Sequence, residues 1–331
     1  MSVLIALSMV GDGPARQTVT PAPSPVTIAA PETTRTPTPG ILGSASTSLL
    51  LWSVDTQSRL QVLDLDSGEL RVLGNRGGIA FFALLRQIVI FDGDNGSRVV
   101  TATGQTVTEE LGRGVFPVAV RDSQTLWVLS EGPPRRWQKR AIDGTLLDEI
   151  PFDGRVVLIP YGDRAVLLSS IDGTSLFDLV TRQRQSLTAT RVIAAAGRTL
   201  IGQTCVGDRC TLTVIDAETR DERVLTDISR SDANTATLSP DGRYLAIAHK
   251  AFEPGRAAEI IEVSSGVPRW MHPASIFVDG SSWSWSPDSN WLFVKVGAEE
   301  IVAIGVHDRA VTEIDIPLPL AAGQGIAVTR R

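Results

Sequence analysis

The sequence predicts an all-β fold, a seven-bladed β-propeller built from four-stranded blades. Three observations lead to this prediction. From about Ser48 onward, short runs rich in apolar, β-branched and aromatic residues alternate with turn sequences, which is typical of strands. A run that ends in a polar turn recurs at intervals of about 40 residues, the length of a propeller blade. Each interval divides into about four strand-like runs, the number in one blade.

The composition is that of a globular protein with a large core. Of 331 residues, 43% are hydrophobic and 21% are charged, which is enough to form such a core. The net charge is -6, and the Lys and Arg residues are scattered rather than clustered. Because nucleic-acid binding needs a concentrated positive surface, we expect no nucleic-acid partner.

The N-terminal part divides into two segments before the propeller. Residues 1–10 form a short apolar segment, which includes Val3–Val10 (VLIALSMV) and is too short to span a bilayer. No Lys or Arg precedes Arg16, so the usual basic start of a signal peptide is missing. The segment is therefore a remnant of a signal or membrane anchor, or simply a disordered end. Residues 11–46, rich in Pro and Thr, are predicted to be a disordered linker, and residues 47–331 a single β-propeller domain.

The first blade offers only three runs, whereas the chain ends with a spare apolar run. The three runs after Ser48 are LLLWSVD, RLQVLDLD and ELRVLG, and the spare run is GIAVTRR at Gly325–Arg331. We expect this last run to supply the inner strand of blade one. The pairing would close the ring and remove two open sheet edges that otherwise favour aggregation.

Two stretches in the sixth and seventh blades share one pattern. Thr237–Ala248 reads TLSPDGRYLAIA and Trp285–Val296 reads WSPDSNWLFVKV. Proline fixes one torsion of a turn, aspartate can hydrogen-bond to nearby backbone groups, and glycine tolerates positive φ. Asp241 and Asp288 are therefore predicted to form the turn between the first and second strands of their blades.

The same pattern resembles the repeat of the TolB-like, WD40-like β-propellers of bacterial envelopes. Ser239-Pro240-Asp241-Gly242 and Ser286-Pro287-Asp288-Ser289 carry the resemblance. It implies a propeller that is used for protein contacts, usually outside the cytoplasm, and it implies no catalytic site.

The two cysteines, Cys205 and Cys210, end the second strand and begin the third strand of blade five. Residues that lie opposite each other on antiparallel strands are within disulfide range, so we expect the two to be bonded. A zinc site would need two further ligands, and no Cys or His pattern provides them. A catalytic thiol would need a neighbouring histidine, and the nearest in sequence is His249.

The remaining sequence offers no motif of catalysis or cofactor binding. His249, His272 and His307 are scattered, and neither a Gly-x-Ser-x-Gly elbow nor a phosphate-binding glycine loop occurs. We therefore predict no catalytic residue, no metal and no cofactor.

Long loops on one rim predict where binding takes place. In a propeller, the loops between second and third strands share a rim with the loops that connect blades. The long second-to-third loops are Glu131–Arg140 in blade three and His249–Ala258 in blade six. Binding residues concentrate on loops carried by a rigid scaffold. The alternative is chance variation in loop length. The predicted aromatic and basic binding surface consists of Arg135, Arg136, Trp137, Lys139, Phe252 and Arg256.

These observations favour a non-catalytic, monomeric, extracytoplasmic propeller that binds a protein or a component of the cell envelope. The N-terminal segment would then be a membrane tether. One alternative is a propeller-type enzyme, a lactonase or a glycan-acting hydrolase, with its site at the central channel. Another is a cytosolic scaffold, which applies if Met1 is the true start and no export signal operates.

Overall fold

The computed structural model describes most of the propeller strands and part of the loops. The described residues are 41–42, 48–57, 59–75, 82–85, 88–93, 96–101, 106–108, 115–120, 125–130, 134–152, 157–161, 165–170, 172–229, 236–248, 258–272, 283–296, 300–307, 310–316, 320 and 325–330. All strands belong to the compact unit Thr34–Arg331.

The secondary structure of the described residues is almost entirely β. The strands in chain order are β1 (Leu49–Val54), β2 (Arg59–Asp64), β3 (Leu70–Asn75), β4 (Phe82–Leu85), β5 (Ile88–Gly93), β6 (Gly96–Thr101), β7 (Thr106–Thr108), β8 (Val115–Val120), β9 (Thr125–Ser130), β10 (Arg136–Ala141), β11 (Leu146–Pro151), β12 (Val157–Tyr161), β13 (Ala165–Ser170), β14 (Gly173–Asp178), β15 (Arg184–Thr188), β16 (Arg191–Ala196), β17 (Thr199–Val206), β18 (Arg209–Asp216), β19 (Glu222–Ser229), β20 (Ala236–Leu238), β21 (Tyr244–Ala248), β22 (Ala258–Glu262), β23 (Pro268–His272), β24 (Trp283–Trp285), β25 (Trp291–Val296), β26 (Glu300–Gly305), β27 (Val311–Ile314) and β28 (Ala327–Arg330).

Backbone pairing arranges these described strands into seven four-stranded antiparallel sheets. Six sheets consist of four consecutive strands, and the remaining one has the order β28-β1-β2-β3. The innermost strands are β28, β4, β8, β12, β16, β20 and β24. The all-β propeller class predicted from the sequence is therefore confirmed.

The C-terminal strand joins the beginning of the chain to its end. In β28, Val328 pairs with Leu51 of β1, and Ala327 pairs with Trp52. The indole Nε1 of Trp52 donates a buried hydrogen bond of 3.0 Å to Thr329 Oγ1. On the other side of β28, the Val328 N–H donates to Ser284 Oγ in β24 at 3.1 Å. β28 therefore completes blade one and also contacts blade seven.

Side chains pack between most of the neighbouring blades. Apolar clusters join neighbouring sheets at six interfaces, those of blades one and two, three and four, four and five, five and six, six and seven, and seven and one. At the interface of blades two and three, the side chains of β4, β5 and β8 lie outside the described residues. The prediction of a complete seven-bladed ring is therefore corrected. Hydrogen bonds define seven sheets, but the described side-chain packing joins them at six interfaces and not all the way round.

The inner strands are buried on both faces because each blade lies between two others. All six residues of β1 are buried. Leu50 and Trp52 belong to the cluster shared with blade two, whereas Leu49 and Leu51 belong to the cluster shared with blade seven. This burial explains why the sequence of β1 is a continuous apolar run instead of an alternating one.

A repeated turn between third and fourth strands fixes the rim on which the first-to-second turns also lie. Asp64, Asp178 and Asp216 each end a third strand, and each Oδ1 accepts two backbone N–H groups of the following turn at 2.8 to 3.1 Å. Arg182 and Arg220, with φ of 61 and 66, occupy the left-handed position of their turns. This repeat was not predicted from the sequence.

The described residues before the first strand lie against the propeller. Ile41 and Leu42, which the sequence analysis assigned to the linker, are half-buried and pack against the cluster between blades seven and one. Within the described part of the chain, no helix has the length and apolarity needed to cross a membrane.

Candidate binding surface

The predicted binding loop of blade three is shorter than the sequence suggested. β9 ends at Ser130 and β10 begins at Arg136, so only residues 131–135 connect them. Arg135 is exposed at the end of this connection, as expected for a rim residue. Arg136, Trp137 and Lys139 belong to the strand itself.

Trp137 lies in the core and does not form part of the rim surface. Trp137 is 1% exposed and packs in the apolar cluster between blades three and four. The indole ring meets Phe152 edge-on at 4.8 Å between centroids and stacks with Phe177 at 6.1 Å. The structure therefore places Trp137 in the core and not on the predicted rim surface, because strand alternation points this side chain toward blade four.

Arg136 is also committed to contacts within its own blade. Its guanidinium forms an ion pair with Glu149 on β11, and Gln138 Nε2 donates to the same carboxylate at 3.0 Å. The hydrogen bonds from Gln138 and Arg136 lower the pKa of Glu149. Lys139 is half-buried on the strand. Of the four predicted residues in blade three, only Arg135 is fully exposed.

The predicted residues of blade six, Phe252 and Arg256, lie outside the described residues. The described part of the long loop His249–Ala258 is Ala258, which begins β22. Their role stays a prediction.

The Ser-Pro-Asp turns are structural, as the sequence predicted. In blade six, Ser239 Oγ donates to Asp241 Oδ1 at 2.6 Å, and the Arg243 N–H donates to the same oxygen at 3.0 Å. The Tyr244 N–H donates to Ser239 Oγ at 3.0 Å, which connects the turn to β21.

Blade seven repeats these contacts. Ser286 Oγ and the Asn290 N–H both donate to Asp288 Oδ1, at 2.5 and 3.1 Å. Burial acts to raise the pKa of Asp288, but the hydrogen bonds from Ser286 and Asn290 outweigh it and lower the pKa overall. These acceptor oxygens are thus used by the turn.

Neighbouring turns on this rim contact one another. The Asp241 N–H donates to Ser289 Oγ in the blade-seven turn at 3.1 Å. Gly242, with φ of +72, approaches blade five so closely that an added Cβ would lie 2.9 Å from Thr199 Oγ1 and 3.2 Å from the Ala196 carbonyl oxygen. The turns of blades five, six and seven therefore form a continuous, closely packed surface.

We expect Gly242→Ala to destabilise the propeller by about 1–3 kcal/mol, because alanine disfavours positive φ and its methyl group would crowd blade five. Urea unfolding measures this change. Gly197→Ala is the matched control, since Gly197 has φ of +55 but no atom within 4 Å of an added Cβ. Equal losses in the two variants would show that the contact with Thr199 has no cost of its own.

The charged groups of this rim are largely engaged with each other. Arg198 donates to both carboxylate oxygens of Asp216, at 3.1 and 3.0 Å, and pairs with Glu218 at 2.7 Å. Hydrogen bonds from the backbone N–H groups of Thr219 and Glu218, and to a smaller extent from the Arg198 side chain, lower the pKa of Asp216 to about 2. Burial and the nearby Asp216 raise the pKa of Tyr161. This rim therefore offers satisfied turns rather than free ligands.

The predicted disulfide is confirmed. Cys205 on β17 and Cys210 on β18 are directly opposite in register, with their Cα atoms 4.0 Å apart, and their sulfurs are bonded. The chain contains two cysteines, so none is free.

We expect the purified protein to show no alkylatable thiol when it is denatured without reductant, and two after reduction. The measurement is mass spectrometry after iodoacetamide treatment, with the reduced sample as the control. Two alkylated cysteines in the unreduced sample would contradict the bond.

The disulfide cross-links an exposed extension of blade five. Pairing of β17 with the inner strand β16 ends at Gln203↔Arg191, whereas its pairing with β18 continues to Val206↔Arg209. Thr204–Arg209, which we name the blade-five projection, is exposed throughout, and Val206 is 82% exposed. Gly207, with φ of 58, allows the tight turn at its tip.

The projection lies on the rim that the sequence analysis selected for binding, because it connects a second strand to a third. Loop length did not reveal it, since the connecting turn is short. The length of its strands could have revealed the projection, because β17, β18 and β19 each have 8 residues, more than the strands of the other blades.

Among the described residues, no group of three or more His, Cys, Asp or Glu side chains is arranged to hold a metal ion.

Comparison with known proteins places the chain among the β-propellers. No protein-family model matches the sequence, and no curated protein sequence matches it either. A functionally unknown protein from Desulfotomaculum acetoxidans DSM 771 is similar in structure, with a TM-score of 0.58, 14% identity, and 85% of this chain and 99% of that chain covered.

Two further solved structures are similar. An oligogalacturonate lyase in complex with manganese gives a TM-score of 0.52 at 12% identity, over 83% of this chain and 91% of that chain. TolB from Acinetobacter baumannii gives a TM-score of 0.49 at 16% identity, over 90% of this chain and 88% of that chain. At such low identities the similarity to the structures with TM-scores above 0.5 shows the fold alone, and the strand pairing of the described residues defines that fold as a β-propeller.

Proposed function

We propose that this protein is a non-catalytic, extracytoplasmic binding module, and that it contacts a protein or cell-envelope component through the rim that carries the blade-five projection. The observation that carries this proposal is the projection itself. It combines exposed Val206 at its tip with a disulfide at its base. An exposed valine on such a cross-linked hairpin loses little conformational freedom when a partner covers it.

The contrast between the two rims supports this choice of surface. On the rim of the Ser-Pro-Asp turns, the described polar groups are largely engaged in turns and ion pairs. On the opposite rim, Arg135 and Arg209 are exposed, and Arg209 pairs in register with exposed Val206. Burying an apolar side chain as large as valine stabilises a complex by about 1.5–3 kcal/mol.

The disulfide supports the extracytoplasmic location. Disulfides persist in oxidising compartments and are rare in the reducing cytosol. A single monomeric propeller, tethered through its N-terminal segment, would suit this role.

The experiment is site-specific photo-crosslinking in intact cells that make the protein. A photoreactive residue replaces Val206 in one variant and Val224 in the control. Val224 is 68% exposed on the same blade, near the opposite rim. We expect one discrete partner to be captured from position 206 and not from position 224. Capture from neither position, or equally from both, would contradict the proposed surface.

A further inference from the structure

The two cysteines of the disulfide lie in different surroundings. Cys205 is exposed, whereas Cys210 is 0% exposed and belongs to the apolar cluster between blades five and six. Ile228, which pairs with Cys210 from β19, is buried in the same cluster. An external nucleophile can therefore approach Cys205 but not Cys210.

This asymmetry decides how the bond would react with a thiol. A thiolate breaks a disulfide by attacking one sulfur, and the other sulfur leaves as a thiolate. Which sulfur is attacked depends on access. Attack on exposed Cys205 would release Cys210.

A hydrogen-bond donor is positioned at the sulfur that would leave. Gln203 is 5% exposed, and its Nε2 lies 3.6 Å from Cys210 Sγ, to which it donates. A thiolate released among apolar side chains is unfavourable unless a donor compensates for the lost water. The Gln203 amide supplies such a donor and would strengthen its bond as charge develops on Cys210.

We propose that the Cys205–Cys210 bond is a thiol-exchange site, whose substrate is a protein dithiol. One thiolate of the dithiol attacks Cys205 Sγ, a mixed disulfide forms, and Cys210 leaves as a thiolate that takes up a proton. The second thiol of the partner then loses its proton and attacks its own mixed-disulfide sulfur, and Cys205 leaves and is protonated. The dithiol is oxidised to a disulfide, and Cys205 and Cys210 are reduced to two thiols.

Exchange would change the blade-five projection. In the oxidised state a covalent bond holds β17 to β18 next to the exposed turn at Gly207. In the reduced state the backbone pairing of β17 with β18 and of β18 with β19 would hold this end of the hairpin without the covalent bond. The geometry of the tip thus depends on the redox state of the bond.

The test uses the folded, full-length protein with reduced glutathione as the attacking thiol, and excess iodoacetamide is added after a fixed time to alkylate every thiol then present. Trypsin cleaves after Arg209, so Cys205 and Cys210 fall in separate peptides that mass spectrometry distinguishes. We expect glutathione on the Cys205 peptide and the alkyl group on the Cys210 peptide. Glutathione on Cys210, or no exchange in the folded protein, would overturn the proposal.

The role of Gln203 is tested by the rate of the same reaction. Gln203→Met removes the donor at similar length, and Gln203→Glu removes it and adds negative charge. We expect exchange to slow about tenfold in the first variant and further in the second. Thr204→Val, which changes an exposed neighbour, is the control. Urea unfolding of each variant separates this effect from a loss of stability, and an unchanged rate in both Gln203 variants would refute the positioning role.

Discussion

Deletion of Gly325–Arg331 is expected to prevent the protein from folding into a stable, soluble monomer. Ile326, Ala327, Val328 and Thr329 are all buried, and β28 fills the space between β1 and blade seven. Each fully buried aliphatic side chain contributes about 1.5–3 kcal/mol. The loss is then comparable to the whole stability of a typical domain, about 5–15 kcal/mol. The deletion would also expose the edge of β1, which favours aggregation.

Size-exclusion chromatography and urea unfolding measure this outcome. The matched control removes only Arg330 and Arg331, of which Arg330 is exposed at the end of β28. Addition of the peptide GIAVTRR to the longer deletion should restore part of the soluble monomer, because the strand can pair without a covalent connection. A longer deletion that unfolds at the same urea concentration as the full-length chain would show that β28 does not stabilise the contact between blades one and seven.

Trp137→Ala is expected to lower the stability of the folded protein by about 3–5 kcal/mol, the usual cost of removing a large aromatic side chain from a core. The cavity would lie between blades three and four, beside Phe152 and Phe177. The midpoint of urea unfolding measures the loss. Trp137→Phe should cost much less, because a ring remains in contact with both phenylalanines.

This variant also separates the core role from the binding role that the sequence suggested. Arg135→Ala is the control, since it changes an exposed residue two positions away and should alter stability by less than about 0.5 kcal/mol. If Trp137→Ala left stability unchanged and weakened only partner binding, the tryptophan would belong to the surface after all.

The strands and the first-to-second turns could be predicted because their signals are local. The burial of β1 on both faces appears as an uninterrupted apolar run, and the spare run at Ala327–Arg330 has no partner in sequence other than blade one. Cys205 and Cys210 flank a short turn, so their pairing also follows from local geometry.

The binding surface was harder to predict because it depends on where a strand begins. The sequence around Trp137, RRWQKRA at residues 135–141, is mostly polar and charged, and the preceding prolines suggested a long loop. Only the register of β10 with β9 and β11 shows that Trp137 points inward and that Arg136 meets Glu149. The blade-five projection arises from three 8-residue strands that extend together, so its signal lies in their combined length and not in any one run.

The most direct test of the central claim, that the projection is the binding element, is the affinity of the partner captured from position 206 for three purified proteins. These are the unaltered chain, Val206→Asp and Val224→Asp. Placing a charge at a buried apolar contact should raise the Kd at least about tenfold for Val206→Asp. Val224→Asp should bind as the unaltered chain does. Equal affinity of all three proteins would contradict the assignment of binding to the blade-five projection.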